Sequence, residues 1–343
     1  AEACVQELAQ RRGWSVDELA DRTIPAAGFD DDGQVVLSYG ERSFSIRLQP
    51  DLNLVIHDTE GRTLTALPAP RSDDDPAAAE AAKKTFGEAK KQIKAIVKQQ
   101  AERLYEAMCT SWRWHVADWQ TYLLAHPLVG RLCRQVVWAC ATARSVKPLT
   151  FRALEDGTLT DVDDVAVVLP EDGWVTVAHP IQIGTDIGAR WKQHLADYEV
   201  ASLLSQFDRA PLLLPEVLSQ EQRIVDRNGH LIEAFKLRGR ATKLGWTRGQ
   251  AEDGGWFHVY RKHFTAIGMT AVLEFTGNSL PEENRITALT GLTFERSSPD
   301  GSSESCVLAD VPAPLLSECW NDVYEIAAQG TGFDPDWETK AAN

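Results

Sequence analysis

The sequence has no long hydrophobic run and a shortage of positive charge. No apolar stretch approaches the ~20 residues of a membrane-spanning helix, and the opening residues, AEACVQELAQRRGW, lack the features of a secretory signal. We therefore expect a cytoplasmic protein without a membrane partner. The chain has 35 Lys and Arg residues but 50 Asp and Glu residues, which gives a net charge of -15. This argues against a nucleic-acid partner, because affinity for nucleic acid depends on neutralising phosphates.

The motifs of several common enzyme classes are also missing. The sequence contains no GxxxxGK[ST] phosphate loop, no HExxH, no GxSxG and no GxGxxG. Their absence removes the commonest nucleotide-binding, zinc-protease and serine-hydrolase functions. The six cysteines are scattered rather than paired at the short spacings of zinc or redox sites. We predict reduced core thiols, no metal site and no cofactor.

What is present indicates an α+β protein that is long enough to bury a sizeable core. In residues 1–70, Ser15 and Glu18 have the spacing of a helix capping box. The segments VVLSY, SFSIRL, LNLVIHD and TLTAL then alternate with a period of two and are separated by turn residues. This pattern predicts a small antiparallel β meander.

A linker and a long helix should follow the meander. The linker is PAPRSDDDP, and residues 77–108 carry apolar side chains at helical spacing. Lys84, Lys91 and Lys98 lie one heptad apart on a different side of this helix, joined by three further lysines. They form either a solvated surface or a docking face for an acidic partner, such as a small acidic protein, a carrier domain or the acidic remainder of this chain.

The stretch 111–140 concentrates four of the eleven tryptophans, which could be core or the wall of a ligand site. The pair His126-Pro127 limits one helix, and we predict a second helix over 127–143. Arg131 and Arg134 are three residues apart and would share a face of it. They could hold a carboxylate, phosphate or sulfate, or pair with aspartates of the chain. Residues 76–145 would thus form a central helical layer.

Strand patterns, among them HLIEAFKLRGR, predominate in residues 150–343. They predict a larger mixed or antiparallel sheet with one inserted helix and a closing helix over 314–328. The inserted helix, RWKQHLADYEV, puts Trp191, His194 and Tyr198 on one face. Asp197 is three residues beyond His194, a spacing at which the pair could act as a general base. The alternative is a structural histidine. We expect the three segments to pack as one body.

The succession GWSVDELADRTIPAAGFDDDG, HPLVGRLCRQVVW, FRALEDGTLTDVDD, VTVAHPI, WKQHLADYEV and LSECWNDV resembles bacterial MolR-type proteins, which carry domain of unknown function 4132 and are associated with WGR domains. The resemblance covers nearly the whole chain. It implies a shared fold, but no established reaction and no agreed catalytic residues.

The chain is also loosely similar to a subunit of the two-component enzymes that close aziridine rings by sulfate elimination on a carrier-bound amino acid, and its composition is typical of actinobacterial proteins. The resemblance implies a cofactor-free natural-product enzyme. Such chemistry needs cations to hold the sulfate and a base to keep the amine unprotonated. The candidates for the sulfate are Arg131, Arg134, Arg190 and Arg209, and those for the base are His194, Asp197, Glu199 and His179. Trp191 and Tyr198 would line the pocket.

The alternative hypothesis is a non-catalytic interaction or regulatory module of a MolR-type protein. An enzyme should have a concave, tryptophan-lined cavity with an arginine cluster and a carboxylate. A module should instead have a large exposed apolar patch.

Overall fold

The computed structural model describes residues 2–298 and 301–341. Within these ranges the helices are α1 (Glu2–Arg12), α2 (Val16–Arg22), α3 (Pro76–Thr110), α4 (Val116–Asp118), α5 (Val129–Cys133), α6 (Pro180–Ile183), α7 (Thr185–Asp197), α8 (Ala234–Lys243), α9 (Ala313–Ala327) and α10 (Trp337–Lys340). A π-helical turn, Trp119–Leu124, continues α4. In the part of the chain that is described, no helix combines the length and apolar character needed to cross a membrane.

The strands are β1 (Gln34–Ser38), β2 (Ser43–Leu48), β3 (Leu54–His57), β4 (Thr63–Leu64), β5 (Trp114–His115), β6 (Trp138–Ala141), β7 (Leu149–Ala153), β8 (Leu159–Thr160), β9 (Trp174–Val177), β10 (Arg223–Ile224), β11 (His230–Glu233), β12 (Thr247–Arg248), β13 (Trp256–Phe264), β14 (Met269–Ser279), β15 (Ile286–Ser297), β16 (Ser303–Ser305) and β17 (Gly332–Phe333). All of their pairings are antiparallel among the described residues. The predicted α+β class is confirmed.

The chain divides into two compact units. The first unit comprises Ala1–Tyr105, Arg113–Ala178 and Asp186–Gln206, and the second comprises Glu106–Trp112, His179–Thr185 and Phe207–Asn343. The chain therefore passes from one unit to the other more than once. The packing of the three sequence segments as one body stays a prediction.

The meander of the first unit has the predicted order, β1-β2-β3-β4. Its inward side chains include Phe44, Ile46 and Ile56, which share a core with α3 residues such as Ile93 and Ile96. The period of two in the strands and the helical period in α3 each produce one apolar face, and the two faces bury each other. The capping box of α2 is present as predicted, with Ser15 accepting from the Glu18 N–H and Glu18 from the Ser15 N–H.

The linker before α3 is ordered by its aspartates. The Asp74 carboxylate is buried, forms an ion pair with Arg42 and accepts the backbone N–H of Arg71 at 2.7 Å. Asp75 accepts the backbone N–H of Ala77 at 2.9 Å, which satisfies one of the free donors at the start of α3. Asp74 can be buried in this linker because Arg42 neutralises its charge.

We predict that Asp74→Asn flattens the acid dependence of folding stability. Hydrogen bonds from Arg42 and Arg71 lower the pKa of Asp74 from 3.8 to about 2. A carboxyl whose pKa is lower in the folded state stabilises the fold above its unfolded pKa and loses that contribution as the pH falls through the folded value. Urea unfolding between about pH 4 and pH 2 should show a smaller loss for the variant than for the native chain. Equal slopes would contradict this role.

The predicted helix over 127–143 is wrong at its second half. Helix α5 ends at Cys133, and the run Trp138–Ala141 is strand β6. This strand lies between β9 and β7 in the sheet order β5-β9-β6-β7-β8. A central strand that is buried on both faces has a continuous apolar sequence, which periodicity alone does not separate from a buried helix.

The second unit contains the eight-stranded sheet, with the order β12-β13-β14-β15-β11-β17 and with β10 and β16 on β15. The closing helix is confirmed as α9 (Ala313–Ala327). The segment HLIEAFKLRGR, predicted as a strand, divides into β11 and α8. Within β11, Leu231–Glu233 pair with β15, whereas the residues that follow the strand bury Ala234, Leu237 and Ala241 at helical spacing.

Candidate functional site

Helix α7 and strand β7 of the first unit bring several polar side chains together. Trp191 of α7 is fully buried, and its indole N–H donates to the Thr150 hydroxyl of β7 at 2.9 Å. Arg152 lies two residues beyond Thr150, so the two side chains point to the same side of the strand. His194 and Tyr198 follow Trp191 along α7 and its C-terminal end. Arg152 therefore projects toward the last turn of α7.

We call Arg152, Asp164, His194 and Tyr198 the Arg152 cluster. The Tyr198 hydroxyl donates to Asp164 Oδ2 at 2.8 Å, and His194 Nε2 lies 4.0 Å from Asp164 Oδ1. The rings of His194 and Tyr198 have centroids 4.7 Å apart. The Arg152 guanidinium carbon is 5.5 Å from the centroid of the Tyr198 ring. One acid, one imidazole, one phenol and one cation thus meet within a few ångströms.

The cluster is buried on one side and open on the other. Arg152 and His194 are 8% and 6% exposed, whereas Tyr198 is 54% exposed and the Asp164 side chain is 53% exposed. Tyr198 and Asp164, joined by their hydrogen bond, therefore cover the two buried groups.

Burial and charge set the protonation of the cluster. Burial lowers the pKa of His194, and the nearby Arg152 lowers it further, while Asp164 opposes both effects. The imidazole is therefore neutral near pH 7 and can accept a proton. Burial also lowers the pKa of Arg152. The hydrogen bond to Asp164, together with burial, raises the pKa of Tyr198, so the phenol keeps its proton.

Three buried polar atoms in this region find no hydrogen-bond partner within the described part of the protein. They are Arg152 Nε, Thr160 Oγ1 and His194 Nε2. Thr160 of β8 stands directly opposite Arg152 of β7, so the two side chains share a face of the sheet. A buried polar atom without a partner costs ~1–3 kcal/mol. A donor, an acceptor and a hydroxyl in that condition are suited to a polar ligand.

The other predicted residues near α7 take different partners. Asp197 accepts a hydrogen bond from the Gln193 amide at 2.7 Å, and the carboxylate nearest to His194 is that of Asp164. Arg190 forms a half-exposed ion pair with Asp163. Glu199 is exposed and has a left-handed backbone, with φ of 51°. Of the predicted residues on this helix, the structure therefore brings His194, Trp191 and Tyr198 to the cluster.

Backbone carbonyl oxygens hold the Arg131 side chain. The Arg131 guanidinium donates to the backbone carbonyl oxygens of Leu48 and Gln49 at 2.9 and 3.1 Å, and also to that of Pro127. Its positive charge is therefore used to hold the end of the meander against α5. Arg134 is half-buried and its Nε has no hydrogen-bond partner among the described residues. The hydrogen bonds of Arg131 are thus to backbone oxygens and not to an aspartate, and an anion shared with Arg134 stays a prediction.

His179 and Arg209 meet in the second unit, in a buried set of ion pairs centred on Asp322. Arg209 Nη1 is 3.0 Å from Glu318 Oε2 and 2.8 Å from Asp322 Oδ1. His179 Nε2 is 3.4 Å from Glu318 Oε1, and its Nδ1 accepts the backbone N–H of Ile181. Both side chains are committed to α9 and α6, so a structural role explains their contacts.

Lys262 completes the same set. Its ammonium group donates to Asp322 Oδ2 at 2.8 Å, and the same oxygen accepts the Trp246 indole N–H at 2.9 Å. Asp322 is 1% exposed. Among the described residues, no group of three or more His, Cys, Asp or Glu side chains is arranged to hold a metal ion.

Arg152, Thr160 and Asp164 were not predicted from the sequence as site residues. A signal was available for Arg152, which stands in the strand FRAL between the buried residues Phe151 and Ala153. An arginine inside a short apolar strand is expected to be exposed, and its burial requires a partner of opposite charge or a ligand. Asp164 lies in the turn DVDD, where the sequence distinguishes no aspartate from its neighbours. Only the fold brings this turn against α7.

Comparison with known proteins identifies relatives without an assigned activity. The chain is 30% identical over 247 residues to "Uncharacterized protein YehI" of Escherichia coli (strain K12), a match that covers 71% of this chain and 20% of that protein. The chain therefore spans about a fifth of the length of this curated relative. No solved structure gives a significant match.

The family is identified by a match over more than half of the chain. Residues 61–246 match the family described as "Domain of unknown function (DUF4132)". This range contains β7, β8 and α7, and so includes every residue of the Arg152 cluster. The protein belongs to the DUF4132 family.

Proposed function

We propose that the Arg152 cluster is a cofactor-free acid–base site for a small molecule that carries an anionic group. The observation behind the proposal is the set of three buried, unpartnered polar atoms, Arg152 Nε, Thr160 Oγ1 and His194 Nε2, beneath a solvent-exposed cover. The guanidinium supplies positive charge for the anion, and the neutral imidazole accepts a proton. Such groups stabilise charge that develops in a transition state because they are fixed before the reaction.

The reaction that we propose for this site is the displacement of a sulfate by a neighbouring amine. The amine nitrogen attacks the adjacent carbon, a carbon–nitrogen bond forms, and the carbon–oxygen bond to sulfate breaks with its electron pair going to sulfate. The amine proton passes to His194 Nε2, and Arg152 holds the departing sulfate. This assignment replaces Arg131 and Arg209, whose guanidinium groups are occupied by the protein itself. A carrier-bound substrate and a second subunit are part of the same proposal.

We expect sulfate to bind to the native chain and to bind at least ~10-fold more weakly to Arg152→Met, because one buried charge-assisted interaction is worth ~1.5–3 kcal/mol. Isothermal titration with sodium sulfate measures the affinity. The matched control is Arg190→Met, which removes an arginine of the same unit whose ion pair with Asp163 is half-exposed. Equal loss in both variants, or no sulfate binding by the native chain, would refute the anion site.

His194→Gln tests the acid–base assignment separately. Incubation of the native chain with an amino-acid sulfate ester should release sulfate, and this variant should bind sulfate normally but release it at least ~100-fold more slowly, as expected when a general base is removed. Asp197→Asn is the control, because Asp197 contacts Gln193. Unchanged release in His194→Gln would reject the imidazole as the base.

The second candidate function is a regulatory or interaction module of a longer, MolR-type protein. It is supported by the length of the relative, of which this chain covers 20%. A module of this kind needs no reaction at the Arg152 cluster. Sulfate binding without turnover of any sulfate ester would favour an anion-sensing module over the enzyme.

A further inference from the structure

The outward face of α3 carries an uncommon density of positive charge. Residues 83–98 contain six lysines and one glutamate, in a chain whose net charge is -15. The six are Lys83, Lys84, Lys90, Lys91, Lys94 and Lys98, and all are exposed. We call them the lysine face.

Helix geometry gathers these side chains into one stripe. With about 100° per residue, the six lysines lie within an arc of about 120°, and they extend over about 22 Å of helix. The buried residues Ala82, Ala89, Ile93 and Ile96 lie on the opposite side, where they pack in the core of the first unit. The stripe is therefore held outward by the packing of the helix and is not spread around it.

The protein itself does little to neutralise this charge. Among the described residues, Lys98 is the member of the lysine face with a carboxylate oxygen within 4 Å, that of Glu102 at 3.9 Å. Lys90 instead lies 4.1 Å above the Phe86 ring. Like charges three and four residues apart on a helix repel each other. The arrangement costs stability in the isolated chain, and an acidic partner would recover it.

Gly87 provides an independent observation on the centre line of the stripe, toward its N-terminal end. Lys83 and Lys84 precede it by four and three residues, and Lys90 and Lys91 follow it by three and four. Glycine is unfavourable inside a helix, and here nothing in the protein requires it, because a Cβ atom at this position would meet no atom within 4 Å. A glycine between two pairs of lysines lets another backbone approach α3 closely at that point.

We propose that the lysine face is a docking surface for an acidic face of a helix in another protein, which crosses α3 at Gly87. A helix is about as wide as the stripe, and its carboxylates at three- and four-residue spacing would reach the lysines on both sides of the glycine. The lysine face contains no arginine among its six cations, and thus lacks the bidentate guanidinium donors that are suited to phosphate groups. The acidic remainder of the chain would also repel a nucleic acid that extends beyond the stripe. The inference is independent of the Arg152 cluster.

The probe is a fluorescein-labelled helical peptide with glutamates along one face, matching the ~22 Å length of the stripe. Its comparison peptide has the same composition with the glutamates distributed around the helix. Fluorescence anisotropy at 0.15 M salt should show tighter binding of the one-faced peptide by the native chain. The Lys84→Glu/Lys91→Glu variant should bind it at least ~10-fold more weakly, because two attractive charges become repulsive.

The matched control is Lys147→Glu/Lys243→Glu, which makes the same change in net charge at two exposed lysines outside the stripe. Its affinity should stay within ~2-fold of the native value, since long-range charge is largely screened at this ionic strength. Equal weakening in both double variants would show a non-specific attraction and overturn the proposal. Equal affinity for the two peptides would do the same.

Gly87→Gln tests the crossing point. It should raise the midpoint of thermal unfolding by about 2 °C, because a better helix former replaces glycine at an open position. It should nevertheless weaken peptide binding by at least ~5-fold, since the side chain blocks close approach. Unchanged binding with a raised midpoint would contradict the crossing at Gly87.

Displacement of the peptide by a DNA duplex or by phosphatidylserine vesicles more effectively than by unlabelled peptide would reject a protein partner.

Discussion

Replacing Asp322 by alanine is expected to lower the free energy of unfolding by about 3–5 kcal/mol, because it removes a buried negative charge that Lys262 and Arg209 both contact. Asp322 is 1% exposed and receives hydrogen bonds from Lys262, Trp246 and Arg209. Burial by itself would lower the pKa of Lys262, but Asp322 together with the nearby Cys319 and Cys109 raises it, so the ammonium group is charged in the native protein. Urea unfolding at pH 7 measures the loss.

The pH dependence of the Asp322→Ala variant provides a sharper test. Without the negative charge of Asp322, the buried Lys262 should release its proton more readily in the folded state than in the unfolded state. A basic group with a lowered folded pKa destabilises the fold most at low pH, and the deficit shrinks as the pH rises toward the ordinary lysine value of ~10.4. A deficit that is the same at pH 7 and pH 9.5 would show that charge is not its cause.

Two variants isolate the contribution of the Asp322 charge. Lys262→Met should cost less than Asp322→Ala, because Asp322 keeps Arg209 and Trp246 as donors while methionine fills the space of the lysine stem. Asp334→Ala breaks the ion pair with Lys340, which is half-exposed, and should leave the unfolding curve nearly unchanged. The order Asp322→Ala, Lys262→Met, Asp334→Ala is the expected order of decreasing loss.

Trp138→Ala should also lower the free energy of unfolding by about 3–5 kcal/mol, the range for removing a large aromatic side chain from a core. Trp138 is fully buried, and its ring lies 5.9 Å from that of Trp114 and 5.2 Å from that of Trp119. Its indole N–H donates to the Cys133 carbonyl oxygen at 2.8 Å, so alanine also removes a hydrogen bond. Chemical denaturation of the purified variant is the measurement.

Trp174→Ala is the matched control in the same sheet. Trp174 stands opposite Ala141 in the pairing of β6 with β9, is 37% exposed and stacks on the His115 ring. Its removal should cost much less than that of Trp138, because it leaves no enclosed cavity. Similar losses at the two positions would mean that the three-tryptophan contact contributes little beyond ordinary surface packing.

The behaviour of these tryptophans answers one question that the sequence left open. Three of the four tryptophans in residues 111–140 are buried, and the fourth, Trp112, is half-buried. Trp114 and Trp119 both pack against Trp138 of β6. The interpretation of this stretch as core is thus confirmed for three of the four tryptophans. Composition alone could not decide this, because aromatic side chains occur both in cores and in ligand sites.

Local sequence patterns predicted most of the individual elements. The β meander, the long helix α3, the capping box of α2 and the closing helix α9 follow from hydrophobic periodicity and turn or cap residues, which act over a few neighbouring positions. The two errors, the helix in place of β6 and the strand in place of α8, occurred where an apolar segment is buried or changes period within a short distance. In these segments the tertiary contacts choose between conformations that the local pattern allows.

The sequence by itself therefore determined the class of this protein, the order of its main elements and the exposure of the lysine face, because each depends on periodicity along the chain. The tertiary structure alone decided which charged groups meet. Asp164, rather than Asp197, faces His194; backbone carbonyls, rather than an anion, hold Arg131; and Asp322 joins Arg209 to Lys262. These pairings join residues that are between 30 and 113 positions apart, as for His194 with Asp164 and Arg209 with Asp322. Only the packing of distant segments fixes contacts of this kind.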